Sequence, residues 1–258
     1  MHSDTQNNQQ RKIVSQVALQ LYTVRDETQQ DFAGTLRRVA EMGYAGVEFA
    51  GYGELSVPAM LSLLAETGLQ VAGTHVGLGE LSAERLDASI DYAQAIGCST
   101  IILPWLAPEF HTLEGLQHLA PRLNAIGQRC RDAGLTFGYH NHAFEFTQLA
   151  GGTWFDHFLT NTDPTLVRLE VDVYWAAFAG HDPLTLLQRL GQRVVLLHMK
   201  DMAADSAMTE VGQGILDMQA ITSFAQQQQV WPIIEHDHPT LPSLESARIS
   251  LEYFQAVR

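Results

Sequence analysis

One pattern recurs five times along this chain and restricts its fold more than any other feature. A helix-like stretch ends at a glycine, one to three residues pass, and an apolar run begins. The copies read EMGYAGVEFAG, ETGLQVAGTHVG, AIGCSTIILPW, DAGLTFGYHNH and RLGQRVVLLHMKD, with Gly43, Gly68, Gly97, Gly134 and Gly191 at the junctions. Glycine there suits the left-handed residue that closes a helix. The apolar runs lack period-two alternation, as expected of parallel strands covered on both faces. Three more strands complete the set: VALQLYTV at Val17–Val24, LVRLEVDVYW at Leu166–Trp175 after an Asn-Thr-Asp-Pro turn, and VWPIIEHD at Val230–Asp237.

Helices are predicted between them over about 28–42, 57–67, 83–96, 112–133, 153–161, 183–190, 216–228 and 242–256. Ser82, Asp182-Pro183 and Asp217 mark starts of the kind that cap a first turn. Eight strands alternating with eight helices predict an α/β fold, a (β/α)8 TIM barrel. The competing doubly wound sheet usually carries a glycine-rich phosphate turn after its first strand. Here that turn reads YTVRDETQQ, without glycine. No linker or composition shift divides the chain, so residues 16–258 are expected to form one domain behind a polar, flexible tail at 1–15. A length of 258 residues fits one such barrel.

The formal net charge of −14 limits the partners. A field of that sign repels phosphodiester backbones and anionic membrane surfaces unless a local basic patch overrides it. The densest basic clusters are only Arg11-Lys12 and Arg37-Arg38, so neither nucleic acid nor membrane is an expected partner. No apolar run approaches the roughly 18 residues of a membrane span. Two distant cysteines, Cys98 and Cys130, build no disulfide framework, and the first fifteen residues lack the apolar core of a signal sequence. Together these predict a reducing, cytoplasmic setting. A homo-oligomer is compatible with the sequence.

In a barrel of this type the C-terminal ends of the strands form the reactive face. The polar residues at those ends are Gln20 and Tyr22, Glu48, His75, and then Pro104 and Trp105 beside the polar set. Strand 5 supplies His140, His142 and Glu145 from the segment YHNHAFEF; strand 6 supplies Glu170 and Asp172. Strand 7 supplies His198 and Lys200, and strand 8 supplies Glu235, His236 and Asp237. A lone strand-end histidine such as His75 is often a satisfied structural group, and Glu48 could simply bond rim amides. Glu170 and Asp172, two apart, point to one side of their strand. Two carboxylates there are costly without a cation or a basic partner. Either Lys200 neutralises one of them or a metal ion does, with Asp172, His198 and Glu235 as its donors. Oxygen and nitrogen donors without thiolate favour Mn²⁺, Mg²⁺, Co²⁺ or Zn²⁺ in a reactive site over a structural zinc.

The segments QLYTVRDE, GVEFAGY, YHNHAFEF, LEVDVYW, LHMKD, EVGQGILD and IIEHD, in this order along the chain as far as Asp237, resemble the sugar phosphate isomerase/epimerase group with the xylose isomerase-like TIM barrel. That superfamily includes endonuclease IV-type and inosose dehydratase-type members. The resemblance implies one divalent ion held by Glu, Asp, His and Glu from four successive late strands. Asp172, His198 and Glu235 match three of these positions. Glu145 is the favoured fourth, with His140 or His142 as the alternative. The endonuclease branch would need more histidine ligands and a basic surface.

The chemistry implied is proton transfer beside a sugar carbonyl, through an enediolate that a divalent ion stabilises. Glu145 and Glu235 are the catalytic candidates. Glu48, His75, His140, His142 and Lys200 are candidates for binding substrate oxygens, and Tyr22, Trp105, Tyr174 and Trp175 for packing against sugar C–H faces. The expected substrate is a small sugar or polyol, handled by a metal-dependent isomerase or epimerase. The same groups can run the dehydration of an inosose or keto-glycoside. A metal-assisted hydrolase and a non-catalytic sugar-binding barrel rank below both. Gly212 and Gly214 in EVGQGILD read either as a cradle for a substrate oxygen or as a turn before the helix near Asp217.

Overall fold

The computed structural model describes residues 16–256, so the expected tail at 1–15 lies outside the described residues. The strands are β1 (Ala18–Gln20), β2 (Gly46–Phe49), β3 (Gln70–His75), β4 (Thr100–Leu103), β5 (Thr136–His140), β6 (Arg168–Asp172), β7 (Val194–Met199) and β8 (Trp231–Ile234). They close a barrel in the order β1-β8-β7-β6-β5-β4-β3-β2. The predicted (β/α)8 barrel is therefore the fold. All four residues of β2 and of β4 are buried, which explains the missing alternation in their sequences.

The principal helices are α1 (Phe32–Met42), α2 (Val57–Thr67), α3 (Leu86–Ala95), α4 (Leu113–Asp132), α5 (Trp154–Asn161), α6 (Pro183–Leu190), α7 (Met218–Gln228) and α8 (Ser243–Ala256). Local side-chain chemistry sets their starts. The Asp31 carboxylate accepts from Gly34 N, Thr112 Oγ1 from Gly115 N, Asp182 from Thr185 N and Asp217 from Ala220 N. Thr153 and Asp156 form a reciprocal capping box on α5. Ser82 instead heads a turn, its carbonyl accepting from Arg85 and Leu86 N, and α3 begins at Leu86. Each of the five junction glycines has positive φ, from +50° at Gly191 to +103° at Gly43.

Two strands are shorter than their sequences suggest. β1 stops at Gln20 because its side-chain oxygen accepts from Tyr22 N at 3.0 Å, folding Leu21–Val24 into a 3-10 turn. β6 stops at Asp172, whose carboxylate accepts from Trp175 N at 3.0 Å and caps a short helix over Val173–Phe178. Tyr174 and Trp175 thus stand on a helix, not on a strand.

Contacts group the chain into two compact units, one of residues up to Ala72 together with those from Leu197, the other Gly73–Leu196. Both boundaries fall inside strands, β3 and β7. In the first unit, β1 pairs in parallel with β2 and with β8, with Gln20 beside Glu48 and Ala18 beside Ile233. Leu36, Val39, Val47, Phe49 and Met60 are fully buried there. In the second, β3, β4, β5 and β6 pair in parallel, with His140 beside Glu170. Trp154, Phe155 and Phe158 of α5 pack under Tyr139, with the Tyr139 and Phe158 rings 4.8 Å apart and Trp154 Nε1 donating to Phe110 O at 2.8 Å. Burying side chains of this size contributes about 1.5–3 kcal/mol each. The rigid strands so produced hold the polar strand ends in register.

Candidate metal and substrate site

Within Gly73–Leu196, four buried or nearly buried groups gather where β3, β5 and β6 end. His75 Nε2 lies 2.7 Å from Glu170 Oε2, and His140 Nδ1 lies 3.4 Å from the same oxygen. His140 Nε2 is 3.9 Å from Asp172 Oδ2. The pairing of His140 with Glu170 across β5 and β6 follows from strand register. Asn141 completes the junction: its Oδ1 accepts from Asp172 N at 3.0 Å and its Nδ2 donates to Asp172 O at 3.4 Å. The amide of the HNH segment thus fixes the backbone that presents Asp172. The sequence placed Glu170 at this face without a ligand role and assigned Asn141 none. Asn141 lay inside the quoted motif, and Glu170 stood out only as the second carboxylate of its strand.

Glu145 serves the same segment from behind. It is completely buried, and it accepts from the Tyr139 hydroxyl at 2.5 Å and from His142 N at 2.8 Å. Burial pushes its carboxyl up to about 8, against the lowering effect of those hydrogen bonds and with a smaller push from nearby Asp172. The His142 ring stands edge-on to His140 at 4.8 Å and faces the Trp175 ring at 5.6 Å. Trp105, after β4, is exposed.

The other unit carries a chain of contacts centred on one imidazole. Gln20 Nε2 donates to Glu48 Oε2 at 2.8 Å, and His198 Nε2 lies 2.7 Å from that oxygen. His198 Nδ1 lies 2.7 Å from Glu235 Oε2. Lys200 Nζ is 2.7 Å from Glu235 Oε2 and donates to Asp237 Oδ1 at 2.8 Å. All of these except Asp237 are buried, Lys200 to within 1% of full burial. Lys200 was expected to bind substrate oxygens or to neutralise a β6 carboxylate; here Glu235 and Asp237 hold it. Tyr22 is half exposed and carries the Arg25 guanidinium over its ring at 4.1 Å.

EVGQGILD resolves in favour of the turn. The carboxylate of Asp201, also buried, accepts from Met202, Gly212, Gly214 and Leu216 N at 2.8–3.2 Å. A Cβ on Gly214 would stand 2.3 Å from Asp201 Oδ1, so only glycine allows that approach. The Gly212 and Gly214 amides therefore bind Asp201, a residue that sequence reasoning passed over although it ends the LHMKD segment.

The donor chemistry suits a divalent cation. His75, His140 and Glu170 belong to one cluster of buried potential ligands, and His140 with Asp172 to a second. Imidazole and carboxylate without thiolate are the ligands of Mg²⁺, Mn²⁺, Co²⁺ or Zn²⁺ in reactive sites. Among the described residues, Lys200 is a buried ammonium set against buried Glu48, Glu170, Asp172 and Glu235, an imbalance that a bound cation would offset.

Comparison with known proteins identifies the fold's family. An inosose dehydratase from Geobacillus kaustophilus is 27% identical over 192 residues, which cover 66% of this chain and 62% of that protein. The aligned part is thus less than two thirds of that relative's length. A sugar phosphate isomerase/epimerase from Parabacteroides distasonis superposes with a TM-score of 0.76 and 25% identity over 94% of each chain. A probable 3-DHS dehydratase from Bacillus anthracis shares the fold, with a TM-score of 0.74 and 13% identity over 93% of this chain and 98% of that one. Residues 36–257 match the family described as Xylose isomerase-like TIM barrel. Matched over most of its length, and closed into the same eight-stranded barrel, the chain belongs to the xylose isomerase-like TIM barrel family.

Proposed function

We propose that this chain is a divalent-cation-dependent enzyme that moves a proton on the carbon beside a carbonyl of a sugar or cyclic polyol. The observation that carries the reading is the excess of buried carboxylates over ammonium groups at the strand ends. His140, Asp172, His198 and Glu235 are the side chains that would hold the ion. They sit at or just beyond the ends of β5, β6, β7 and β8, four successive strands of the barrel. When bound there, such an ion supplies charge that lowers the cost of developing negative charge on a substrate oxygen.

The remaining steps belong to the chain itself. Glu235 is the carboxylate that takes the proton, with Lys200 placed against it to balance the charge that moves. A positioned base of this kind contributes about 10²–10⁴-fold. His75 and His142 hold substrate hydroxyls, and Trp175 packs beside His142 as an apolar wall for C–H groups. Glu145, with both oxygens engaged by Tyr139 and His142, braces the HNH segment rather than meeting the substrate. A small sugar or polyol fits a site with no basic cluster. Two free, buried cysteines fit a reducing compartment.

Isomerisation or epimerisation is the leading outcome of this proton transfer. Dehydration is the second reading, favoured by the similarity to an inosose dehydratase. One experiment separates them: incubation with Mn²⁺ and a panel of ketoses, keto-glycosides and inososes in deuterated water. Deuterium uptake with conserved carbon skeleton and hydroxyl count supports the isomerase or epimerase. Loss of water with a new conjugated carbonyl absorbance supports the dehydratase. Absence of both across the panel, in protein that binds the ion, would sink the proton-transfer reading.

A further inference from the structure

A second pocket opens where the strands of the Gly73–Leu196 unit begin. Its volume is about 250 Å³, and Arg131 of α4, Thr136 of β5, Thr165, Arg168 of β6 and Val195 of β7 line it. Gly127 of α4 lets the 165–166 segment come close, since a Cβ there would stand 2.3 Å from Leu166 O. β6 spans Arg168 to Asp172, so this pocket lies roughly 13 Å along the strand from the metal-site carboxylate.

The charge here runs opposite to that of the molecule. The whole chain has 15 lysines and arginines and a net charge of −14, yet Arg131, Arg168 and Arg193 gather around this end. Arg193 is committed to structure: it donates to Val167 O and Leu159 O at 3.1 Å and to Thr162 Oγ1 at 2.6 Å. Arg168 is not. One of its terminal nitrogens donates to Gln192 O, while its buried Nε has no hydrogen-bond partner among the described residues. Arg131 is exposed and donates to Gln128 Oε1 at 2.6 Å. Burial pushes the Arg168 guanidinium down; burial plus repulsion from Arg168, partly opposed by attraction to Asp163, brings Arg193 to about 10. The nearby carboxylate, Asp163, is exposed and already accepts from Thr165 N and Oγ1 at 2.7 Å. Two partly desolvated guanidiniums that repel each other, one with a buried N–H unused, cost stability that a bound anion would recover. Arginine forks are suited to oxyanions, and Thr136 adds a hydroxyl at the wall.

We propose that this pocket binds a small oxyanion, the phosphate or carboxylate group of a metabolite, with Arg168 as the principal donor and Arg131 as the second. The proposal stands apart from the proton-transfer reading, because none of its residues belongs to the strand-end clusters.

The test is calorimetric titration of the metal-loaded protein with inorganic phosphate and, separately, with succinate, each at ionic strength matched with sodium chloride. Saturable binding of one of them, weakened at least tenfold in Arg168→Gln and several-fold in Arg131→Gln, supports the site and names the oxyanion class. Arg131 is exposed, so its variant reports on binding even if Arg168→Gln unfolds. Absence of saturable binding for both probes overturns the proposal. So does binding that both variants retain unchanged, since that would locate the anion elsewhere, at the metal for instance.

Discussion

β6 is five residues long, and its two ends carry opposite chemistry. At its start, Arg168 stands among guanidiniums and hydroxyls; at its finish, Glu170 and Asp172 stand among imidazoles. The ends differ equally in how their charges are balanced. The carboxylates at the finish are buried and share His75 and His140, whereas the arginines at the start are partly open to water. Parallel strands all point the same way, so whatever each strand places last is pooled at one mouth, and whatever each places first is pooled at the other. With both proposed sites filled, an acidic chain would keep a cation-binding mouth and an anion-binding pocket apart without an intervening domain.

Disabling the finish while sparing the start should have the largest effect. Glu235→Gln removes the proposed base, and turnover on the substrate found by the deuterium screen should fall about 10³-fold, with phosphate or succinate titration unaltered. Steady-state kinetics read the loss; a variant within threefold of the parent would remove Glu235 from the mechanism.

A smaller effect concerns the brace behind the finish. The Glu145 carboxyl stands near 8 in the folded chain against a reference of 4.5. A raised folded value means that its contribution is fully present below about pH 4.5 and is lost as pH rises through 8. In the ion-free protein, Glu145→Gln removes that titration. The variant should gain stability relative to the parent as pH climbs from 4.5 to 8, by up to roughly 1.4 kcal/mol per pH unit. Urea unfolding across that window measures it, and parallel pH curves for the two proteins would contradict it.

Asn141→Ala should give the smallest of the three. It leaves the Asp172 backbone without its two side-chain hydrogen bonds, at about 1–2 kcal/mol. It should also weaken ion binding while leaving the Arg168 pocket intact. Denaturant midpoints and ion titration of the same sample check both, and an unchanged ion affinity would show that Asp172 is positioned by other means.

Much of the barrel was legible because its signals are local. Helix-closing glycines and the Asp182 and Asp217 caps fall within a few residues of what they terminate, so α2 and α6 begin and end where the sequence places them. β1 and β6 ran long in the sequence because Gln20 and Asp172 bend the chain through their own side chains, a contact that hydrophobic periodicity does not record. The site divides in the same way. Strand-end carboxylates and imidazoles announce themselves by their unlikely burial, but the tasks of Glu145 and Asp201 depend on donors with no charge or periodicity to mark them, a tyrosine hydroxyl and backbone amides. The Arg168 pocket left no trace, since Arg131 of α4 and the Thr165–Arg168 segment come from separate stretches of chain with no spacing to connect them.

The central claim is that the strand-end carboxylates and imidazoles serve one divalent ion. Its most direct test is titration of the chelator-stripped protein with Mn²⁺, Co²⁺, Zn²⁺ and Mg²⁺, with bound metal counted by mass spectrometry after desalting. One ion per chain for at least one of these metals, reduced at least a hundredfold in affinity in folded Asp172→Asn and His198→Gln, is the predicted result. A folded parent that binds none of the four, or variants that bind as the parent does, would contradict it.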